Sequence, residues 1–299
     1  MTALLIRDLS RETSVEGIIN IITNTDAKSV YIFCLLSLCA LLLRSYRYFY
    51  ALGLCCDKKL DYTRILAISS VRNLTIDLLP SRTGELSYFF LLNLYGVSLA
   101  SSSAVFIICF ILDFLVLVFL GLFLLSSSQN ELLIFYMLLS ILFSASFLLI
   151  KLPNTLSFLE SKFKKLSFIK TILDSGTLLK LQTLDSMMKL SLLTLTLRLA
   201  KYSSLYFLLQ GVLLGSNFDL TKFQPLDCTI AFILAEASTS LPTIMGFGAY
   251  EKTWTAIMQI GGVTSVIFSV HIISQLVTYS LSGLCCLLFL FKQDKEEAF

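Results

Sequence analysis

Two stretches of this 299-residue chain set proline, glycine and charged residues among apolar ones. They are Leu79-Pro80-Ser81-Arg82-Thr83-Gly84-Glu85 and the longer run from Leu241-Pro242 to Glu251, which holds Gly246 and Gly248. Two of the four prolines open them. Proline fits the first position of a helix, where its missing N–H would have no partner anyway. A helix beginning at Pro80 or Pro242 inside a membrane would aim free N–H groups and a positive dipole end at the interior, which suits an anion such as a phosphate. Arg82 adds a bidentate phosphate partner. Gly84, Gly246 and Gly248 let a headgroup or another helix come close to the backbone. Glu85 and Glu251 can complement arginines or a cationic headgroup. The plainer alternative is a pair of proline kinks with packing glycines and structurally paired charges.

Ionisable residues inside apolar runs extend the candidate headgroup-binding set to Arg72, Asp77, Asp113 and Glu236. His271, the sole histidine, has no evident Asp or Ser partner in sequence and reads as packing. Trp254 reads as an anchor at the membrane interface. The eight cysteines include the adjacent pairs Cys55-Cys56 and Cys285-Cys286, but show no C-x-x-C or metal spacing, and read as small apolar filler. No nucleophile elbow, phosphate-binding loop or sugar-nucleotide motif is present. No catalytic residue, metal, cofactor, enzyme activity or nucleic-acid partner is expected.

The elements that position these residues are membrane helices. The chain is 56% hydrophobic and only 14% charged, with mean hydropathy +0.83, against about 25% charged for a soluble domain. Its apolar runs are continuous rather than alternating, which argues against a β-barrel. The first 28 residues are polar and amphipathic and do not read as a cleavable signal. Residues 29–50 form the first span, ending in Arg44, Tyr46, Arg47, Tyr48 and Tyr50, a mix typical of the interface. Residues 62–79 carry Arg72, Asn73 and Asp77, too polar to face lipid. A short helix over 85–95 follows the Pro80 turn and stops at Gly96. Spans are predicted over 99–125, 132–150, 190–214 and 265–291, with a short apolar segment over 227–241.

Residues 151–189 hold seven lysines against three acids, with apolar residues at helical spacing. They predict a basic amphipathic helix on an anionic membrane surface. The positive-inside rule puts this linker, the 51–64 loop and the tail 292–299 in the cytoplasm. Loops 126–131 and 215–226, and the N-terminus, then lie outside. Glu85 and Glu251, Gly96-Val97 and Gly262-Val263, and Asp61 and Asp227 all stand 166 residues apart. These offsets predict an inverted repeat, about 29–125 and 190–291, within a single transmembrane domain over 29–291. Inverted repeats with broken helices at the midplane are a transporter architecture. The fold expected is an all-α polytopic membrane protein of about six full spans and two re-entrant hairpins, or about eight helical segments.

The order Leu79-Pro80-x-Arg82-x-Gly84-Glu85, a short apolar helix, Gly96-Val97-Ser98 and a long span with Asp113 resembles the membrane domain of lysylphosphatidylglycerol synthase. This is the flippase-like family, which also occurs as stand-alone proteins. Leu241-Pro242 to Glu251 looks like its second motif, and Arg44 to Leu52 like its first Arg-aromatic segment. Ser81 and Met245 stand where the family has glycine, Tyr88 where arginine is frequent, and Cys109-Phe110 where an arginine precedes the Asp113 position. The resemblance implies movement of a lipid, an anionic phospholipid or a polyprenyl-phosphate-linked lipid, across a bacterial or archaeal cytoplasmic membrane. It covers no soluble synthase domain, so aminoacyl transfer is not expected. The alternative is a non-transporting membrane subunit that docks a glycosyltransferase or other lipid-modifying enzyme. A homo-oligomer is compatible with either.

Overall fold

A computed structural model describes residues 14–56, 60–126, 183–216, 223–238, 249–258 and 263–297. The predicted span 132–150 and most of the 151–189 linker lie outside these residues. The described residues contain nine α-helices and no strand. In chain order they are α1 (Val15–Thr23), α2 (Ala27–Cys55), α3 (Tyr62–Leu78), α4 (Leu86–Leu94), α5 (Leu99–Ser126), α6 (Leu184–Gly215), α7 (Pro225–Ser238), α8 (Ala249–Met258) and α9 (Val263–Glu297). A six-residue 3-10 segment, Pro80–Glu85, joins α3 to α4.

Local sequence sets many of these boundaries. Ser14 caps α1 by accepting from the Gly17 N–H at 3.1 Å. At the start of α2 the Asp26 carboxylate accepts from the Ser29 N–H at 2.9 Å and its hydroxyl at 2.7 Å. Those bonds hold the Asp26 carboxyl below the usual carboxylate range. As predicted, α4 stops at Gly96, which adopts φ 82°. The Val97 N–H reaches the Leu92 carbonyl at 3.0 Å and the Gly96 N–H reaches that of Asn93 at 2.9 Å, a Schellman ending that needs a left-handed residue. Ser98 then caps α5 through the Ser101 N–H. Pro225 takes the first position of α7.

Three of the described helices are long and apolar enough to cross a bilayer: α2, α5 over Leu99–Leu120, and α9 over Val263–Leu288. On α5, Ala104, Val105, Ile108, Leu112 and Val116 are buried along one stripe, while Phe110 and Phe114 point outward and are more than half exposed. An outward apolar stripe of this kind suits lipid rather than water. The tail residues 292–297 continue α9 as helix, so the last helix runs past the predicted end at 291.

The chain divides into two compact units. One is drawn from 1–41, 69–87 and 199–299, the other from 42–68 and 88–198. In the second unit, Tyr48, Leu52, Ile65, Tyr88, Leu92, Ile108 and Leu190 belong to one buried apolar cluster, with the Tyr48 and Tyr88 rings 4.9 Å apart. In the first unit, α7 packs on α8, α8 on α9, and α9 on α1. There α6 meets the start of α2 and the chain just before it at two glycines. A Cβ at Gly211 would overlap the Ser29 side chain, and one at Gly215 would overlap the Asn24 carbonyl. The Gly211 carbonyl accepts from the Asp26 N–H at 3.2 Å.

Candidate functional site

Asp113 sits about halfway along α5 and draws two guanidiniums from other helices. Arg47 of α2 grips it with both terminal nitrogens, at 2.9 and 3.0 Å, in the planar fork geometry that makes such pairs strong. Arg198 of α6 approaches the same carboxylate through Nη2 at 3.2 Å and Nε at 3.3 Å. Thr194, one turn before Arg198, accepts from Arg47 at 3.0 Å and donates to the Leu190 carbonyl at 2.7 Å. Arg44, one turn before Arg47, is close enough to act electrostatically on Asp113. All of these residues belong to the second unit. Within the Arg47 pair Asp113 is the more accessible partner, its side chain 21% exposed against 2% for Arg47.

Of the Arg-aromatic residues that end the first predicted span, Arg47 and Tyr48 are buried against the protein, while Tyr46 stays exposed. The reason is helical phase. Residues 44, 47, 48 and 51 share the face that α2 turns inward, and Arg47 finds its counter-ion there. Arg198 and Lys201, which interrupt an apolar run, are likewise paired. Lys201 Nζ lies 2.9 Å from the Glu236 carboxylate, which also accepts from the Tyr202 hydroxyl at 2.9 Å.

The hairpin tip between α3 and α4 is built by close approach. Gly84 is buried, and a Cβ there would overlap the Thr75 carbonyl, so only glycine fits. The Thr75 hydroxyl lies 3.0 Å from the Gly84 carbonyl and 2.8 Å from the Ser87 hydroxyl, and Ser87 donates to the same carbonyl at 2.7 Å. Beside this knot, Arg72 approaches Glu85 at 3.5 Å, and Arg72 and Asn73 are buried as their polarity predicted. Pro80 opens the 3-10 segment, with Leu79 before it making no side-chain cap. The expected α-helix starting at Pro80 is thus displaced to Leu86. The backbone of Asp77, Pro80 and Arg82 is placed in α3 and the 3-10 segment, and their side chains lie outside the described set.

In the second motif Pro242, Gly246 and Gly248 lie outside the described residues. Glu251 is fully buried in the first turn of α8, and the ring Nδ1 of His271 is 2.6 Å from its carboxylate. Two readings change here. His271 packs as expected but has an acidic partner twenty residues away, which no local spacing signals. Trp254 is no interface anchor: it is fully buried, with its ring edge-on to Phe232 at 4.8 Å. Cys55, Cys109 and Cys228 are buried thiols, and Cys39 is exposed. No cluster of three or more potential metal ligands occurs among the described residues.

Bilayer-length apolar helices whose buried charges are held by charges of other helices define an integral membrane protein with a polar interior. The lysylphosphatidylglycerol synthase TM region matches residues 1–286, and the chain belongs to that family. No curated protein matches the chain.

Proposed function

We propose that this protein moves an anionic lipid across the bilayer without a covalent step. The observation that carries this reading is the Arg47–Asp113–Arg198 cluster, where two guanidiniums are held on one carboxylate inside the second unit. Ionisable groups placed within apolar helices are functional candidates, and a lipid phosphate is an anion that arginines in such helices meet in a membrane. Arg198, whose contacts with Asp113 are longer at 3.2 and 3.3 Å, is the guanidinium assigned here to the phosphate. Membership of a family named for lysylphosphatidylglycerol synthase supports a lipid as the ligand.

In this reading the two Pro-Gly-Glu segments are tips of re-entrant hairpins related by an inverted repeat. The first segment carries Arg82 and Glu85, with Arg72 before it, and Glu236 precedes the second in sequence. The lipid tails stay in the bilayer while the headgroup crosses, and rocking one repeat against the other exposes it to each side in turn.

The test is a flipping assay in proteoliposomes with labelled phosphatidylglycerol, its lysyl ester, polyprenyl phosphate and polyprenyl-phosphate sugars. The purified protein is expected to accelerate at least one of them. Arg198→Gln, and separately Arg82→Ala and Glu85→Ala, are expected to remove that acceleration while the protein still elutes as a folded species. Wild-type rates no faster than protein-free vesicles for all four lipids, or unchanged rates in all three variants, would overturn the reading.

A further inference from the structure

The two faces of α5 meet at Asp113. Ile108, Cys109, Leu112 and Val116 turn inward and are buried, whereas Phe110 is 56% exposed and Phe114 59%. At about 100° per residue, Asp113 falls on the border between these faces, within about 60° of both Phe106 and Phe110. The carboxylate that gathers Arg47 and Arg198 therefore borders the outward side of a bilayer-length helix.

The residues along that border are aromatic. The Phe106 and Phe110 rings are stacked, with centroids 6.3 Å apart and planes 18° apart. Phe106 meets Phe89 of α4 edge-on at 5.2 Å, and Phe89 meets the buried Tyr88 in the same way at 5.7 Å. Tyr88 packs on Tyr48, the sequence neighbour of Arg47. The row of rings thus starts in the core beside Arg47 and ends at the exposed Phe110, all within the second unit. Rings fixed in this way present a stiff apolar surface. A hydrocarbon chain gains dispersion contacts there without ordering flexible side chains.

What covers this face is decided by the charge at its edge. A hydrocarbon chain suits the rings, and an anionic headgroup on the same molecule suits a guanidinium beside Asp113. We infer that Phe89, Phe106 and Phe110 seat the hydrocarbon chain of an anionic phospholipid whose phosphate lies at Arg198, so that the lipid reaches the charge cluster sideways from the bilayer. The assignment of the phosphate to Arg198 rests on the translocation reading above. The aromatic row adds to that reading the side from which the lipid arrives.

The experiment replaces Phe110 with the photoreactive analogue p-benzoylphenylalanine in the full chain. The protein is irradiated in nanodiscs of equal phosphatidylglycerol and phosphatidylcholine, and the adducts are counted by mass spectrometry. The same analogue in place of Leu99, exposed on the same side of α5 and about 21 Å away, is the control. Phosphatidylglycerol is net negative, while the quaternary ammonium of phosphatidylcholine offsets its phosphate. The ratio of phosphatidylglycerol to phosphatidylcholine adducts is expected to be about fivefold higher at 110 than at 99, the preference one arginine gives an anionic lipid. Arg198→Gln is expected to bring the ratio at 110 down to the control, and Arg198→Lys to keep most of it. Equal ratios at the two positions, a ratio at 110 that Arg198→Gln leaves unchanged, or adducts at 110 to this chain or a second copy in place of lipid would each overturn the inference. Should Arg198→Gln fail to fold, the comparison of 110 with 99 decides, since it needs no charge variant. Selective adducts without flipping in the same preparation would remove the translocation reading and leave the lipid seat standing. Flipping without selective adducts would remove the seat alone.

Discussion

Asp113 shows how one residue organises three helices. Its carboxylate takes a two-pronged grip from Arg47 and a looser contact from Arg198, so α2, α5 and α6 all contribute to one charge cluster. Removing the shared anion leaves two buried guanidiniums facing each other, which is worse than losing one of two cations. Asp113→Ala is therefore expected to destabilise the protein by about 3–5 kcal/mol, the usual cost of breaking a buried pair, and Arg198→Ala by clearly less. Thermal unfolding in detergent followed by circular dichroism checks the order. Equal losses from the two variants would show that Arg198 holds Asp113 as firmly as Arg47 does. The same residues show where sequence reading stops. Asp113, Arg72 and Glu236 could be singled out because a charge in an apolar run is unusual wherever it occurs. Their partners could not, since Arg47 is 66 residues from Asp113 and His271 is 20 from Glu251. Such pairings are made by packing, not by periodicity. Trp254 was misread for a related reason: an indole suits the interface by composition, and only the contact with Phe232 shows it inside.

At the scale of elements, the glycines divide into those that bring backbones together and those that merely occupy a helix. Gly84 has the Thr75 backbone where a Cβ would stand, so alanine would force the hairpin tip open or displace the 3-10 segment. Gly53, in α2, has nothing within 4 Å of that position. Gly53→Ala is expected to be neutral or to stabilise by about 0.5–1 kcal/mol through helix propensity. Gly84→Ala is expected to lower the unfolding temperature by several degrees, or to abolish folding. Measuring both in the same detergent settles it, and a neutral Gly84→Ala would mean that the tip is not closely packed. Helix boundaries around this tip were legible because proline and glycine act locally. Pro80 opens a helical segment and Gly96 closes α4 in the predicted places. The 3-10 geometry of residues 80–85 was not legible, because it is set by the contact of Gly84 with Thr75 rather than by any residue's own preference.

For the whole molecule, the lengths of α3 and α4 bear on how the chain crosses the membrane. The 17 residues of α3 rise about 26 Å and the nine of α4 about 14 Å, against about 30 Å of hydrocarbon. A hairpin with so short a second arm cannot carry its tip to the far surface unless the bilayer thins sharply. If the hairpin enters from the cytoplasmic side, as the positive-inside rule predicts from the lysines and arginine of the 51–64 loop, its tip should stop inside the membrane. Three single-cysteine positions, Ser128→Cys, Gln293→Cys and Ser81→Cys, each introduced with the native thiols replaced, test this with a membrane-impermeant maleimide on right-side-out vesicles. Ser128→Cys should label at once and Gln293→Cys only after the membrane is opened, because basic segments stay inside. Ser81→Cys should label far more slowly than Ser128→Cys. Labelling of Ser81→Cys as fast as Ser128→Cys would mean that α3 and α4 both cross. The tip would then be an external loop, and the headgroup contacts at Arg72 and Arg82 would have to be given up.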